Sequence, residues 1–250
     1  RAEPDFAFAG RTFTRHYHSL HQFRTSVGFA VGWTHTFGDR IFGVPGGSPA
    51  ALVDETGTYE SFVLIGTHRY RGENSTDTVL ESSSSGTVRW RLRRAGGEIR
   101  EFDKDGFLLK IVNPADPRVD ATLTYLRDPS LDYPNGLLST VTDGQGRKLK
   151  FEYSAAKLLS YLRLPDGTSI GYDYDADRNL TSVDYGGGRI KQYHYAEADA
   201  IGDPSQRHHL TGITSETTIS LAIGAERIGW QAKRDFVGGS ELRRPLIRVQ

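Results

Sequence analysis

The sequence predicts an all-β chain, an extended antiparallel sheet of stacked β-hairpin repeats. Three observations predict it. First, one pattern recurs at a fixed period of 21 residues: Gly146, Gly167 and Gly188; Phe151, Tyr172 and Tyr193; Tyr153, Tyr174 and Tyr195. Leu159 and Leu162 recur as Leu180 and Val183 in the same phase. A fixed period in this range is the mark of a repeat architecture. Second, the composition is rich in Gly (28), Tyr (12) and Phe (12), which suits strands and turns. Third, no segment holds a helical period beyond about three turns.

Composition narrows the function classes. Lys plus Arg equals Asp plus Glu at 31 each, so the zero formal charge gives no argument for nucleic acid or an anionic membrane. The absence of Cys excludes disulfides, thiol catalysis and Cys-ligated metals. The absence of Met, even at position 1, predicts a processed or trimmed piece. No apolar run approaches the roughly 20 residues of a membrane span, and no signal-peptide pattern opens the chain. At 250 residues the chain has room for one large β domain or two ordinary ones.

The elements follow in order. In the N-terminal region, 1–49, Phe6, Phe8, Phe13 and Tyr17 predict short strands with aromatic faces. Val27, Phe29, Val31 and Trp33 alternate with small residues, which predicts a strand continuing through Thr34 to Phe37. The breaker cluster Val44 to Pro49 closes this region. Connecting strands fill 50–94. Ala51–Val53 and Tyr59–Ile65 form a hairpin around the turn Asp54–Gly57, and a polar loop covers Arg71–Asp77. A serine loop at Ser82–Gly86 precedes a strand over Thr87–Arg94, with Val88, Trp90 and Leu92 opposite Arg89, Arg91 and Arg93.

Hairpin repeats fill 95–215. Each unit has an aromatic followed by Asp or a similar residue, a turn with Gly or Asn, a Leu, and an aliphatic three residues after that Leu. The repeat positions are Phe102 with Leu108, Phe151 and Tyr153 with Leu159, Tyr172 and Tyr174 with Leu180, and Tyr193 and Tyr195 with Leu210. Leu210 follows Leu180 by 30 residues rather than 21, so a nine-residue insertion is expected in the last turn. Period-2 geometry puts Ile170, Tyr172 and Tyr174 on one face, where aromatics can align across neighbouring strands. Region 216–250 predicts further strands from Ile219, Leu221, Ile223, Ile228, Trp230, Leu246, Ile247 and Val249.

Candidate chemistry is sparse. Asp173, Asp175, Asp177, Asn179 and Asp184 match the offsets of a calcium loop, but Arg178 holds the sixth position, where such a loop needs Gly. The stretch therefore predicts a turn with solvated carboxylates. His16, His18 and His21 lack a nearby carboxylate or Cys partner, so no metal site is assigned. His208 and His209 are expected to be exposed, and His194 to face away from its flanking tyrosines. No Gly-x-Ser-x-Gly elbow or phosphate-cradling Gly loop before a helix is present, so the reading is non-catalytic, with no cofactor. The arginine face Arg89, Arg91, Arg93 and Arg94 reads as a solvated sheet face balanced by Glu98, Glu101 and Asp103.

Tyr174-Asp175 through Leu180-Thr181-Ser182-Val183, preceded by Asp166-Gly167-Thr168, resembles the YD repeat of bacterial Rhs proteins and their teneurin relatives. Phe102-Asp103-Lys104-Asp105-Gly106 resembles the same element. Arg15-His16-Tyr17 and Val31-Gly32-Trp33-Thr34-His35-Thr36-Phe37 resemble the domain preceding the repeats in Rhs proteins, with Ala30 in place of the first Gly of its Gly-x-Gly-Trp core. The resemblance implies a strip of sheet that curves or spirals into part of a hollow shell around a toxin-like cargo. It implies protein partners (a cargo, the remainder of the shell, or a second copy) and secretion or delivery by a bacterial system. Asp132-Tyr133-Pro134-Asn135-Gly136-Leu137 differs in spacing and position from the family's self-cleavage motif and reads as a turn. The alternative reading is a carbohydrate- or receptor-binding β-module.

Overall fold

The structure, a computed structural model, describes residues 1–19, 28–75, 77–127, 136–196, 207–217 and 234–236. His21, Val27, Asp132–Asn135, the expected nine-residue insertion and the apolar residues expected to form strands from Ile219 onward lie outside them. The chain divides into two compact units, Arg1–Phe151 and Glu152–Gln250. The architecture is all-β, with no α-helix among the described residues.

The first unit holds two sheets. The smaller is three-stranded, ordered β1 (Ala2–Phe8), β2 (Arg11–Tyr17), β3 (Trp33–His35), and antiparallel. The larger is an antiparallel meander in which each strand pairs with the next. Its strands are β4 (Arg40–Phe42), β5 (Ala50–Val53), β6 (Tyr59–Gly66), β7 (Arg69–Gly72), β8 (Val79–Ser82), β9 (Trp90–Arg93) and β10 (Ile99–Phe102). It continues through β11 (Leu108–Val112), β12 (Ala121–Leu126), β13 (Leu137–Asp143) and β14 (Lys148–Tyr153), the last of which runs into the unit boundary. In the second unit β15 (Leu159–Arg163), β16 (Ser169–Tyr174), β17 (Leu180–Asp184), β18 (Arg189–Tyr195), β19 (Leu210–Thr217) and β20 (Arg234–Phe236) pair in the same way.

Two local expectations are corrected. The strand expected from Val27 is shorter: β3 starts at Trp33, and residues before it turn, with Gly28 at φ 88° and Gly32 at φ 74°. Left-handed backbone at both glycines breaks the extended run that their alternation suggested. Arg71 and Gly72 belong to β7 rather than to a loop, because β6 and β8 pair with β7 on either side.

One turn recurs through the meander. In Asp54–Thr58, Arg94–Glu98, Asp103–Phe107, Asp143–Arg147, Ser154–Leu158, Leu164–Thr168 and Asp175–Asn179, the first residue's N–H donates to the fifth residue's carbonyl. The fourth residue's N–H donates back to the first residue's carbonyl. The fourth residue has positive φ, from 61° at Lys157 to 86° at Gly167. This is the three-residue hairpin loop with a left-handed final position. The Asp that follows each YD aromatic has a defined task here: Asp103 Oδ1 accepts from the N–H groups of Asp105 and Phe107, each at 2.9 Å. Asp175 Oδ1 accepts from the N–H of Asn179 at 2.8 Å. Such side-chain caps satisfy turn amides that the sheet leaves unpaired.

A second device explains the Leu-x-x-aliphatic spacing. Strand side chains alternate faces, so residues three apart in a regular strand point to opposite sides. Leu180 and Val183 are nevertheless both fully buried. The register shows how: Tyr172 pairs with Val183 and Asp173 with Ser182, but Tyr174 pairs with Leu180, so Thr181 is the extra residue of a bulge. The same shift lies between Glu101 and Phe102, between Thr124 and Tyr125, and between His194 and Tyr195. It brings Leu108 and Ile111, Leu138 and Val141, and Leu210 and Ile213 to partners on matching faces. A bulge adds one residue, bends the strand and restores the apolar set to one side.

Candidate functional site

The repeat positions divide into two groups. Phe102, Leu108, Phe151, Leu159, Tyr172, Leu180 and Tyr193 are buried. Tyr153, Tyr174, Tyr195 and Leu210 are half-buried. The direct cross-strand partner of a YD aromatic is aliphatic: Val183 for Tyr172, Leu180 for Tyr174, Ile213 for Tyr193 and Leu210 for Tyr195. Phe102 pairs with Leu108 on one side and Trp90 on the other. Half-burial gives the tyrosine hydroxyls a second role. Tyr174 donates to the Leu159 carbonyl at 2.8 Å, and Tyr125 donates to the Leu108 carbonyl at 2.8 Å. In both cases a tyrosine of one hairpin holds the bulged strand of the hairpin before it.

Within the first unit, the small N-terminal sheet is seated on the meander through an aromatic seam. Phe13 of β2 lies 5.5 Å from the His35 ring and 6.5 Å from the Phe151 ring, and His35 lies 5.8 Å from Phe151. The Phe29 ring meets His35 edge-on at 5.7 Å. Phe151, a repeat position on β14, is therefore the anchor for this sheet. His35 Nδ1 accepts the Phe37 backbone N–H at 3.2 Å, which holds the imidazole neutral. Burial pushes the His35 pKa down to about 4, and neighbouring His16 adds to the effect. Beneath this seam β1 and β2 share a fully buried ion pair, Arg15 Nε to Asp5 Oδ2 at 2.7 Å.

A charged cluster continues the seam. Arg100 Nη1 donates to Asp39 Oδ2 and to Glu55 Oε2, and Arg100 Nε donates to Glu98 Oε1 at 2.8 Å. Arg94 Nη2 lies 3.2 Å from Glu55 and 3.5 Å from Asp39. Arg11 of β2 donates to Glu98 Oε2 and to the Val119 carbonyl, each at 3.0 Å. Three arginines thus face three carboxylates across the N-terminal sheet, the segment after β3, the β5–β6 turn and β10. Burial raises the Asp39 pKa to about 8, against the pull of Arg100. Burial works to raise Glu55 as well, but the Asp39, Arg100 and Arg94 groups outweigh it and hold Glu55 well below the usual carboxylate range. Two carboxylates sharing one guanidinium nitrogen titrate apart for this reason. The cluster does what a buried, mutually satisfied network does: it fixes one docking geometry.

A third contact closes one strand edge. The Ile41 N–H of β4 donates to the Gly106 carbonyl at 3.0 Å. The Arg40 guanidinium lies 3.4 Å from the Phe107 ring centroid, and its Nη2 donates to the Asp105 carbonyl at 2.8 Å. The β10–β11 turn of a YD unit thereby covers an edge that would otherwise offer unpaired backbone groups.

The remaining candidates are placed as follows. Asp175 is committed to Asn179 through both oxygens, Asp173 accepts from Ser182 Oγ, and Asp177 pairs with Arg207 at 3.4 Å. No group of three or more His, Asp or Glu that could hold a metal occurs among the described residues. His208 is not free in solvent: its Nδ1 is 2.7 Å from Asn179 Oδ1. His194 Nε2 is 2.9 Å from Thr214 Oγ1. Of the arginine face, Arg91 pairs with Glu101 at 2.8 Å and Arg93 with Glu81 at 3.8 Å, while Arg94 turns into the cluster. Asp39, His35 and Glu55 were not singled out by the sequence. Arg100 had a signal: period-2 places it on the face of Phe102, where a charged residue needs a buried partner.

No protein family and no curated protein matches this chain. Among solved structures it shows a distant, partial likeness to the crystal structure of TcdB2-TccC3-TEV. There the identity is 16% over 67% of this chain and 10% of that chain, with a TM-score of 0.27. A Tc holotoxin pore from Photorhabdus luminescens is matched at 13% identity over 86% of this chain and 12% of that one, with a TM-score of 0.29. This chain spans only about a tenth of the length of either.

Proposed function

We propose that this chain is a non-catalytic structural segment of a Rhs-type shell, which encloses or presents a partner polypeptide, toxin-like in class, in a bacterial delivery system. The observation that carries the reading is the repeated bulged hairpin. Each unit places its Leu and the aliphatic three residues on against the aromatics of its partner strand, and the same turn links unit to unit. A strip made this way grows by adding identical units, and stacking neighbours extends one continuous apolar face. Supporting it are the YD resemblance and the N-terminal sheet fastened to the strip by Phe151 and Arg100. The buried ionisable residues at that seam are spent on each other rather than poised around an open cleft. Secretion or delivery, and a partner that is cargo, further shell or a second copy, belong to the same proposal.

The test is co-expression with the polypeptide encoded alongside this chain, followed by limited proteolysis and light scattering. A neighbouring polypeptide that resists protease only while the strip is intact is the expected result. One cleaved as fast in the complex as when free would overturn the shell reading.

A further inference from the structure

A cleft of about 410 Å³ opens on the first unit between the β6–β7 turn and the loop joining β8 to β9. Its walls are rich in hydrogen-bond donors. Arg69, Arg89 and Arg91 all line it, with His68, Ser82 and Trp90. The only carboxylate in the lining is Glu81. Arg91 is committed to Glu101, but the other donors are less spent. Arg69 is exposed and has no hydrogen bond or ion pair among the described residues. Arg89 uses Nε on the Ser83 carbonyl at 2.7 Å, which leaves its two terminal nitrogens available. The Trp90 indole Nε1 is buried and has no partner among the described residues.

The floor is built rather than loose. Ser82 Oγ accepts the Gly46 N–H at 3.0 Å and lies 2.9 Å from His68 Nδ1. Gly46 also donates to the Tyr70 hydroxyl at 2.9 Å, and that hydroxyl donates to the Gly47 carbonyl at 2.9 Å. The Gly46–Gly47 turn is thereby pinned beside His68; a Cβ at Gly46 would lie 3.2 Å from His68 Cε1.

We propose that this cleft binds a tetrahedral oxyanion, a sulfate or phosphate ester carried on a ligand of sugar size. The guanidinium groups of Arg69 and Arg89 supply forked donors matched to such oxyanions. The volume falls within the range of small-molecule sites. Nothing in the shell reading requires this site, and either stands without the other.

Titration of the full chain with inorganic sulfate, inorganic phosphate, glucose 6-sulfate, glucose 6-phosphate and neutral glucose tests it. The readouts are calorimetry and the Trp90 indole N–H resonance, assigned with Trp90→Phe. Saturable binding of at least one ester, weakened about tenfold or more in Arg69→Gln and Arg89→Gln, is expected from the loss of a charge-assisted pair. Glucose should not bind, and comparing the free ions with the two esters shows which source supplies the group. Thermal melts of both variants should match the parent, since neither residue is in the core. The proposal is overturned if none of the anions saturates, if the variants bind as well as the parent, or if glucose binds as well as its esters.

Discussion

The Tyr174 hydroxyl donates to the Leu159 carbonyl at 2.8 Å, tying one YD hairpin to the hairpin before it. Leu159 opens β15, which leads into β16 through the Leu164–Thr168 turn. Both residues come from the repeat, so their relation should recur with its period. Tyr195 lies fifteen residues beyond Leu180, as Tyr174 does beyond Leu159 (195 − 180 = 174 − 159 = 15).

Replacing Tyr174 by Phe removes this bond and leaves the Leu159 carbonyl to find water. A loss of about 1 kcal/mol in stability is expected, the usual contribution of one hydrogen bond. Tyr195→Phe should cost a similar amount. Denaturant midpoints of the two single variants and the double variant measure both. A Tyr174→Phe protein as stable as the parent would show the bond to be incidental.

The bulge makes a sharper prediction. Deleting Thr181 shortens the Leu180–Val183 spacing to two intervals and removes the extra residue between the Tyr174–Leu180 and Asp173–Ser182 pairs. The β16–β17 register must then slip or the turn must rebuild, at a cost of about 3 kcal/mol or more, typical of a disrupted core. Thr181→Ala keeps the count and should stay within about 0.5 kcal/mol of the parent. Urea melts of the two variants separate the effect of the count from that of the side chain.

That contrast also shows what the sequence made legible. The period, the turn residues and the strand faces could be read because each depends on neighbours within one repeat. The Leu-x-x-aliphatic spacing was visible too, but its meaning was not, since a bulge is a property of the pairing of two strands. The seam was least legible. Asp39 follows Gly38 in an unremarkable loop, and its partner Arg100 is 61 residues away. Only Arg100 gave itself away, by sharing a face with Phe102. The Val27–Trp33 alternation misled because glycines at φ near 88° and 74° turn the chain where the pattern looked extended.

The turn chemistry predicts opposite outcomes at equivalent positions. Arg178 and Lys157 hold the left-handed position that Gly fills in sister turns, at φ 66° and 61°. Arg178→Gly and Lys157→Gly should each raise stability by about 0.5–1 kcal/mol, the relief of backbone strain less the entropy cost of Gly. Gly106 holds the same position, but a Cβ there would lie 1.8 Å from the Ile41 carbonyl oxygen. Gly106→Ala should therefore lose about 3 kcal/mol or more through displaced backbone at the β4 edge. Thermal melts of the three variants are enough to decide.

The seam should respond to pH through two groups of opposite sign. His35 is held neutral, with its pKa lowered by burial to about 4 from an ordinary 6.5. The unfolded chain binds that proton first, so the His35 contribution is complete above pH 6.5 and is lost as pH falls toward 4. Asp39 is raised to about 8, so the folded chain binds its proton first, and its contribution grows as pH falls from 8 toward the ordinary carboxylate range. Between pH 4.5 and 6.5 the two slopes oppose each other, each worth about 2 kcal/mol over the window by linkage. The neighbours that bear on them are His16 beside His35, and Arg100, Arg94 and Glu55 around Asp39. Glu55 and Glu98, both lowered, cause losses only at the acid end. The parent protein should therefore show little change in urea midpoint across this window. His35→Asn should become more stable as pH falls, and Asp39→Asn less stable. Parallel pH profiles for the parent and both variants would rule out this assignment.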